Sequence, residues 1–371
     1  MLPRWIDSIK SWVPFEEYFL ALLITGGTGF LGRYLVANLL PSNRDIFLLV
    51  RKESYQKAES IYKNNPKVHL ILGDILNPKV VESDRNHKKL FSETTSIIHA
   101  ACYSNLKGNY EKCFNKNVGG TRNIIQLARQ MKKLRFFHYI SSIAVSGDFK
   151  GELKEDVLDI GQKFSNNYAQ TRFDAELCVR DWVCPTVAKR IYRLGVLVGD
   201  SMQGMTPQKD GPYYFFGLLN KLQRKKLLLN TLKYLPVPFE KSSIIPMIPV
   251  DHAAKFVSEG VLNPSKSLDL RCYHVVSKGC PTVGQFVQDS FDEFGFSVNV
   301  VPLPKTKANN LIMDKVGLPK ELLPYTYSKC KYDQSMAKKD FPELAESQYR
   351  NYKNAMFAFV KGSGIPKKGK F

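Results

Sequence analysis

Short apolar runs alternate along the chain with stretches in which apolar side chains return every three or four positions. Continuous short runs are the pattern of strands buried on both faces, and the three-to-four spacing is that of a helix with one buried side. The pattern predicts strands at 19–25, 45–50, 68–72, 96–101, 136–140 and 188–198, and helices at 33–40, 120–132 and 168–183. This alternation predicts an α/β fold, a doubly wound parallel sheet with helices on both faces. After residue 200 the rhythm breaks. Residues 201–248 are rich in glycine, proline and aromatics, with a helical stretch around 214–223; 251–262 is helical, 273–276 is a further sheet strand, and 282–355 mixes helices and turns. The expected organisation is a nucleotide-binding domain over 19–200, completed by about 249–281, and a smaller, mainly C-terminal substrate lobe from 201–248 and 282–355. A basic tail over 356–371 follows. Asp251 is expected to cap the helix it begins rather than to pair with His252 in catalysis.

Composition narrows the class. The 371 residues are 44% apolar and 24% charged, which excludes collagen-like and disordered chains. Seven cysteines without a Cys-x-x-Cys pair argue against a disulfide framework or zinc ribbon and favour a reducing, cytoplasmic setting. No apolar run reaches the ~18 residues of a membrane span, and the start lacks the series of a secretory signal. In residues 1–18, Trp5, Ile6, Ile9, Trp12 and Val13 fall near helical spacing: an amphipathic helix on a membrane, or one packed on the protein's own core. The formal charge is +20. It reads as a solvated basic surface, or as attraction to acidic lipid on the inner face of a membrane or to an anionic acyl carrier. Nothing has the spacing of a nucleic-acid-binding motif, and His69, His87, His138, His252 and His274 show no metal spacing.

The segment Thr25-Gly26-Gly27-Thr28-Gly29-Phe30-Leu31-Gly32 lies between a predicted strand and a predicted helix. In a Rossmann βα turn the first glycine permits the tight turn, the second lets backbone approach a pyrophosphate, and the third lets helix and strand pack closely. Where NAD binders place an acid, at the end of the second strand, this chain has Leu49-Val50-Arg51-Lys52. A guanidinium there suits the 2′-phosphate of NADP(H), and Arg33 offers a second contact; the alternative is that these cations belong to the basic surface. Asp74, in Gly73-Asp74-Ile75, is placed to accept from an adenine amino group, and the small Ala100 and Ala101 let a cofactor lie close.

Ser142 ends the fifth predicted strand, and Tyr168 and Arg172 lie four apart on the next helix, sharing a face. A cation beside a tyrosine stabilises tyrosinate. Such a tyrosine can donate a proton to a carbonyl oxygen as hydride arrives, with a serine hydroxyl bonding the same oxygen.

With these residues the chain resembles the extended short-chain dehydrogenase/reductases: the T-G-G-T-G-F-L-G turn, G-D-I, H-A-A, Asn117-Val118-Gly119-Gly120-Thr121, S-S-I-A-V-S-G and the Tyr168 helix. It is most similar to their fatty acyl-CoA reductase and thioester reductase branch, through the segment from Arg193 to Ser201, Asp210-Gly211-Pro212-Tyr213-Tyr214-Phe215-Phe216, and Ile248-Pro249-Val250-Asp251. The last two resemble the amino-terminal domain of two-domain bacterial fatty acyl-CoA reductases. The resemblance implies NADPH-dependent reduction of a long-chain acyl thioester or fatty aldehyde, the acyl group being presented by coenzyme A or a carrier. It assigns Tyr168 as acid and Ser142 as carbonyl-orienting hydroxyl. It puts Asn117, Leu194 and Val196 with Ile75 beside the cofactor, and Tyr103 with the run 213–216 beside the acyl chain, although such a run reads equally as core. It also implies a homodimer through the Tyr168 helix. Three departures stand out: the family's lysine is Arg172, its Arg-Pro-Gly is Arg193-Leu194-Gly195, and the fused second reductase domain does not follow. Arginine keeps its charge but cannot relay a proton. An extended-family enzyme acting on a sterol or sugar hydroxyl or keto group, and a catalytically weakened NADP-binding protein, remain as alternative readings.

Overall fold

The computed structural model describes residues 20–82, 86–207, 211–264, 268–344 and 347–363. The 1–18 segment, the basic tail beyond Ser363 and Asp210 lie outside them.

Seven parallel strands form the central sheet: β1 (Ala21–Thr25), β2 (Asp45–Val50), β3 (Val68–Leu72), β4 (Thr94–His99), β5 (Phe136–Ser142), β6 (Ala188–Leu194) and β7 (Arg271–Val275). Their spatial order is β7-β6-β5-β4-β1-β2-β3, the doubly wound order in which the winding reverses between β1 and β4. The interior strands are buried almost throughout because helices cover both faces: β1, β4 and β5 carry essentially no exposed residue. One face is covered by α1 (Phe30–Leu39) and α5 (Val250–Leu262), where Leu35, Val36 and Leu39 join Ala253, Ala254 and Val257 in one cluster. The other is covered by α2 (Gly120–Ala128) and α3 (Asn167–Asp181).

The expected strand over 188–198 is two strands. Gly195 N–H still bonds to Val275 of β7, but Val196 N–H turns to the carbonyl of Pro246, and Val196–Val198 pairs with Met247–Pro249. That switch carries the chain out of the sheet into the lobe. The longer helices of the lobe among the described residues are α4 (Tyr213–Leu222), α6 (Val283–Glu293), α7 (Ala308–Val316) and α8 (Tyr349–Ser363), and Tyr213, Phe216, Phe286, Phe291 and Phe357 are in its core. Residues 356–363 are therefore not a tail: Met356, Phe357 and Val360 are buried there. Residues 330–341 return to the nucleotide-binding domain, where Cys330–Tyr332 pairs with Gly151–Leu153 and Ala337 and Phe341 pack on the α1/α5 cluster. Asp251 does not cap its helix. Pro249 stands at the cap, and the Asp251 carboxylate accepts from the N–H and hydroxyl of Ser201, at 2.9 and 2.6 Å.

Candidate active site

The turn after β1 is built as its glycines require. Gly26 has φ +76°, and its backbone passes so near Ala100 and Ala101 that a Cβ there would lie 2.8 Å from the Ala101 nitrogen. At Gly32 a Cβ would lie 2.1 Å from the Gly26 carbonyl oxygen, so only glycine lets α1 start this close to β1. Gly29, the N-cap of α1, makes no side-chain cap bond and no acid lies in the first turn. The first N–H groups of the helix thus face a cavity without a competing side-chain acceptor, which suits an anionic pyrophosphate.

That cavity has a volume of about 830 Å³. Thr25, Gly26, Thr28, Gly29, Phe30, Leu31 and Gly32 line one end, with Arg51, Asp74, Ile75, Ala100 and Ala101. Ser142, Tyr168, Arg172, Tyr103, Leu194 and Val196 line the middle. Beyond them the lining becomes apolar and belongs to the lobe: Tyr213, Phe215, Leu222, Val237, Phe286, Val287 and Met313. The aromatic run divides, Tyr213 and Phe215 facing the cavity and Phe216 lying fully in the lobe core; Tyr214 is outside the lining. Gly27 is outside it too, packed against Leu48. Arg33 points elsewhere, into a small hollow with Ile61 and Tyr62. Arg51, at the N-terminus of Lys52–Tyr62, is exposed. Asp74 accepts from the N–H of Leu76, which shapes its loop.

Asn117 is structural in this geometry. It sits in a π-helical turn, Asn115–Gly119, and its amide accepts from Tyr103 N–H at 2.7 Å and donates to Thr171 Oγ1 at 3.1 Å. It fixes the Tyr103 segment against α3. His99 is held through a single tautomer. Thr121 donates to the Asn117 carbonyl, so it accepts from His99 Nε2–H, leaving Nδ1 to accept from Thr25, whose oxygen accepts from Ala101 N–H. Burial, reinforced by Arg172, holds His99 down to about 3, so the ring is neutral at physiological pH.

Arg172 is buried. Its guanidinium donates to the Ile140 carbonyl and lies 5.2 Å from the Tyr139 ring centroid. Burial would pull it down, but Tyr139, Cys102, Tyr168 and Glu176 outweigh that and hold it above the usual arginine range. One turn further along α3, Glu176 accepts from Ser141 Oγ at 2.6 Å, from Arg193 Nη2 at 2.7 Å and from Arg180 Nε at 3.0 Å. Burial pushes this carboxyl up, yet Arg193, Arg180 and the Ser141 hydroxyl bring it down to about 2. Arg193 reaches on to His274 Nε2 at 3.2 Å, while His274 Nδ1 donates to the Asp333 carbonyl. One buried pair therefore ties the helix of Tyr168 to β5, β6 and β7. Sequence reasoning named Arg193 within its Arg-Leu-Gly segment but missed the pair, because Glu176 belongs to no motif and a lone carboxylate on a helix reads as surface. It also left out Lys116, which lines the cavity with its ammonium 5.0 Å from the Tyr103 ring centroid.

A glycine-lined anion cradle at the sheet's reversal point, opening onto a Ser, Tyr and cation on β5 and α3, defines the class: an α/β protein with a Rossmann-type dinucleotide-binding fold. Within that class the chain belongs to the male sterility protein family, which matches residues 24–257. L-2-aminoadipate reductase of Saccharomyces cerevisiae is 25% identical over 345 residues, covering 81% of this chain and 24% of that reductase. Human (Homo sapiens) fatty acyl-CoA reductase 1 is 29% identical over 152 residues, 35% of this chain and 30% of that protein. The chain thus spans under a third of these curated relatives. The terminal R domain of the myxalamid PKS-NRPS biosynthetic pathway has the same fold, with a TM-score of 0.75 and 21% identity over 95% of this chain and 93% of that one.

Proposed function

We propose that the protein reduces a long-chain acyl thioester or fatty aldehyde with NADPH. The observation that carries this is one continuous cavity, which runs from the anion cradle past Tyr168 into an apolar lobe. Its far lining of Leu222, Val237, Phe286 and Val287 suits an alkyl chain and offers little to sugar hydroxyls. Arg51, in the place of the NAD-binder's acid, supports the 2′-phosphate form. A reduced nicotinamide, when bound, supplies hydride. The chain's own residues do the rest. Tyr168 donates its proton to the carbonyl oxygen, Ser142 Oγ–H bonds the same oxygen, and the fixed charge of Arg172 stabilises the tyrosinate left behind. With a thioester, this gives a hemithioacetal; its hydroxyl proton returns to the Tyr168 tyrosinate as the thiolate leaves, and an aldehyde forms.

The test is NADPH oxidation by the purified chain offered acyl-CoAs, an acyl carrier and fatty aldehydes. Turnover is expected on at least one class and is expected to fall by about 10²–10⁴-fold in Tyr168→Phe. Tight NADPH binding with no turnover on any of them would discard the reading. A second reading, a weakened enzyme that binds NADP without efficient turnover, draws on the Arg172 guanidinium being engaged with the Ile140 carbonyl. A gain of about tenfold or more in Arg172→Lys would favour it, because lysine can relay a proton where arginine cannot.

A further inference from the structure

Ile312 lines the apolar end of the cavity and is also exposed. The surface near it is unusual for a protein. Leu227 and Leu228 are 88% and 66% exposed beside the cavity-lining Leu229, and Leu311 is 61% exposed beside Ile312. Lys221, at the end of α4, has its Nζ 3.4 Å from where a Cβ on Gly317 would stand, just past α7, so the two segments adjoin. Large apolar side chains protruding from adjoining segments in this way mark an interaction site. Between residues 221 and 239 there are five basic residues and no acidic one, while α7 adds Asp314 and Lys315, which cancel.

We propose that this tip of the lobe docks on an anionic lipid surface. Leu227, Leu228 and Leu311 enter the acyl boundary while Arg224 and Lys225 rest among headgroup phosphates. Protruding leucines flanked by cations fit a bilayer better than a folded acidic partner, whose affinity would come from anchors seated in pockets. The docking stands on this surface alone. Its use, passing an apolar substrate between bilayer and cavity, rests on the function proposed above.

The test is sedimentation of the full chain with phosphatidylcholine vesicles, with and without phosphatidylglycerol. Two variants address the patch: Leu227→Ser/Leu228→Ser, which leaves charge unchanged, and Arg224→Glu/Lys225→Glu. Lys132→Glu/Lys133→Glu makes the same charge change at exposed positions just after α2. Both patch variants are expected to lower partitioning into the anionic vesicles by about tenfold or more, and the control by less than about twofold. Unchanged partitioning of the leucine variant would overturn the proposal, as would a control that loses as much as the arginine–lysine variant. Unchanged vesicle binding, with the patch variants losing affinity for an acidic acyl carrier domain instead, would overturn it in favour of a protein partner. Reduction of a short soluble aldehyde without vesicles should be the same in all variants. If no carbonyl is reduced at all, the proposed activity fails while the vesicle result still stands or falls by itself.

Discussion

On the proposed function, cofactor choice turns on Arg51, and its position makes a clean test. It stands at the end of β2, exposed and lining the cavity. Arg51→Glu restores the acid of the NAD binders. It should lower kcat/KM for NADPH by about 10- to 100-fold, the loss of one charge-assisted contact, and leave NADH as the better cofactor in side-by-side kinetics. Arg33 is the contrasting case. In sequence it is as good a cation as Arg51, since both follow a strand or turn that ends at the cofactor. The structure separates them by direction alone, Arg33 lining a separate small hollow with Ile61 and Tyr62. Side-chain direction past a turn has no signature in a one-dimensional pattern, so a motif gives position without aim. Phe215 and Phe216 repeat the lesson, adjacent on α4 with the first lining the cavity and the second wholly in the core.

At the scale of elements, the sheet was legible and the ties between its elements were not. Strands buried on both faces have to be continuous apolar runs, and β2 falls where the pattern put it; so does β3, although as the edge strand it is only half-buried. The helix Lys52–Tyr62 was missed because it buries only Ala58 and Tyr62 and leaves a polar surface elsewhere. The Glu176–Arg193 pair is the larger omission. With Ser141 it joins α3, β5 and β6, the elements that carry Tyr168 and Ser142, and neither Glu176 nor Arg193 lines the cavity; on the proposed function these are positioning residues. Glu176→Gln leaves the Arg193 charge without its counter-charge in the interior and should destabilise the fold by about 3–5 kcal/mol in denaturant melts. The pair also sets an acid limit. A carboxyl held at about 2 in the folded chain, against 4.5 for the free group, contributes stability above pH 4.5 that is lost as pH falls towards 2. Melting curves across that window should show a drop in the wild type that is smaller in Glu176→Gln.

For the whole molecule, the informative fact is that one cavity runs from the glycine turn past Tyr168 into the apolar lobe. On the proposed function, substrate length is then read far from the chemistry. Val287 of α6 lines the apolar end while being almost fully buried. Val287→Phe should raise KM for the longest acyl chains by about tenfold or more and leave the shortest aldehydes nearly unchanged, because the added ring fills space that only a long chain needs. A chain-length series on both proteins checks this, and an equal loss at every length would point to a general packing defect instead.

The interruption of the sheet by the lobe also bears on how the chain comes off the ribosome. The apolar side of α1 is covered by α5, and the edge of β6 is paired by β7, yet both arrive only after residues 196–249 have been made. Until then Leu35, Leu39 and Tyr192 have no cover on that side. A partly synthesised chain ending near residue 200 therefore holds a nearly complete nucleotide-binding sequence that is still open along one face and one edge. Such a nascent chain depends on chaperone protection or on uninterrupted synthesis at this stage.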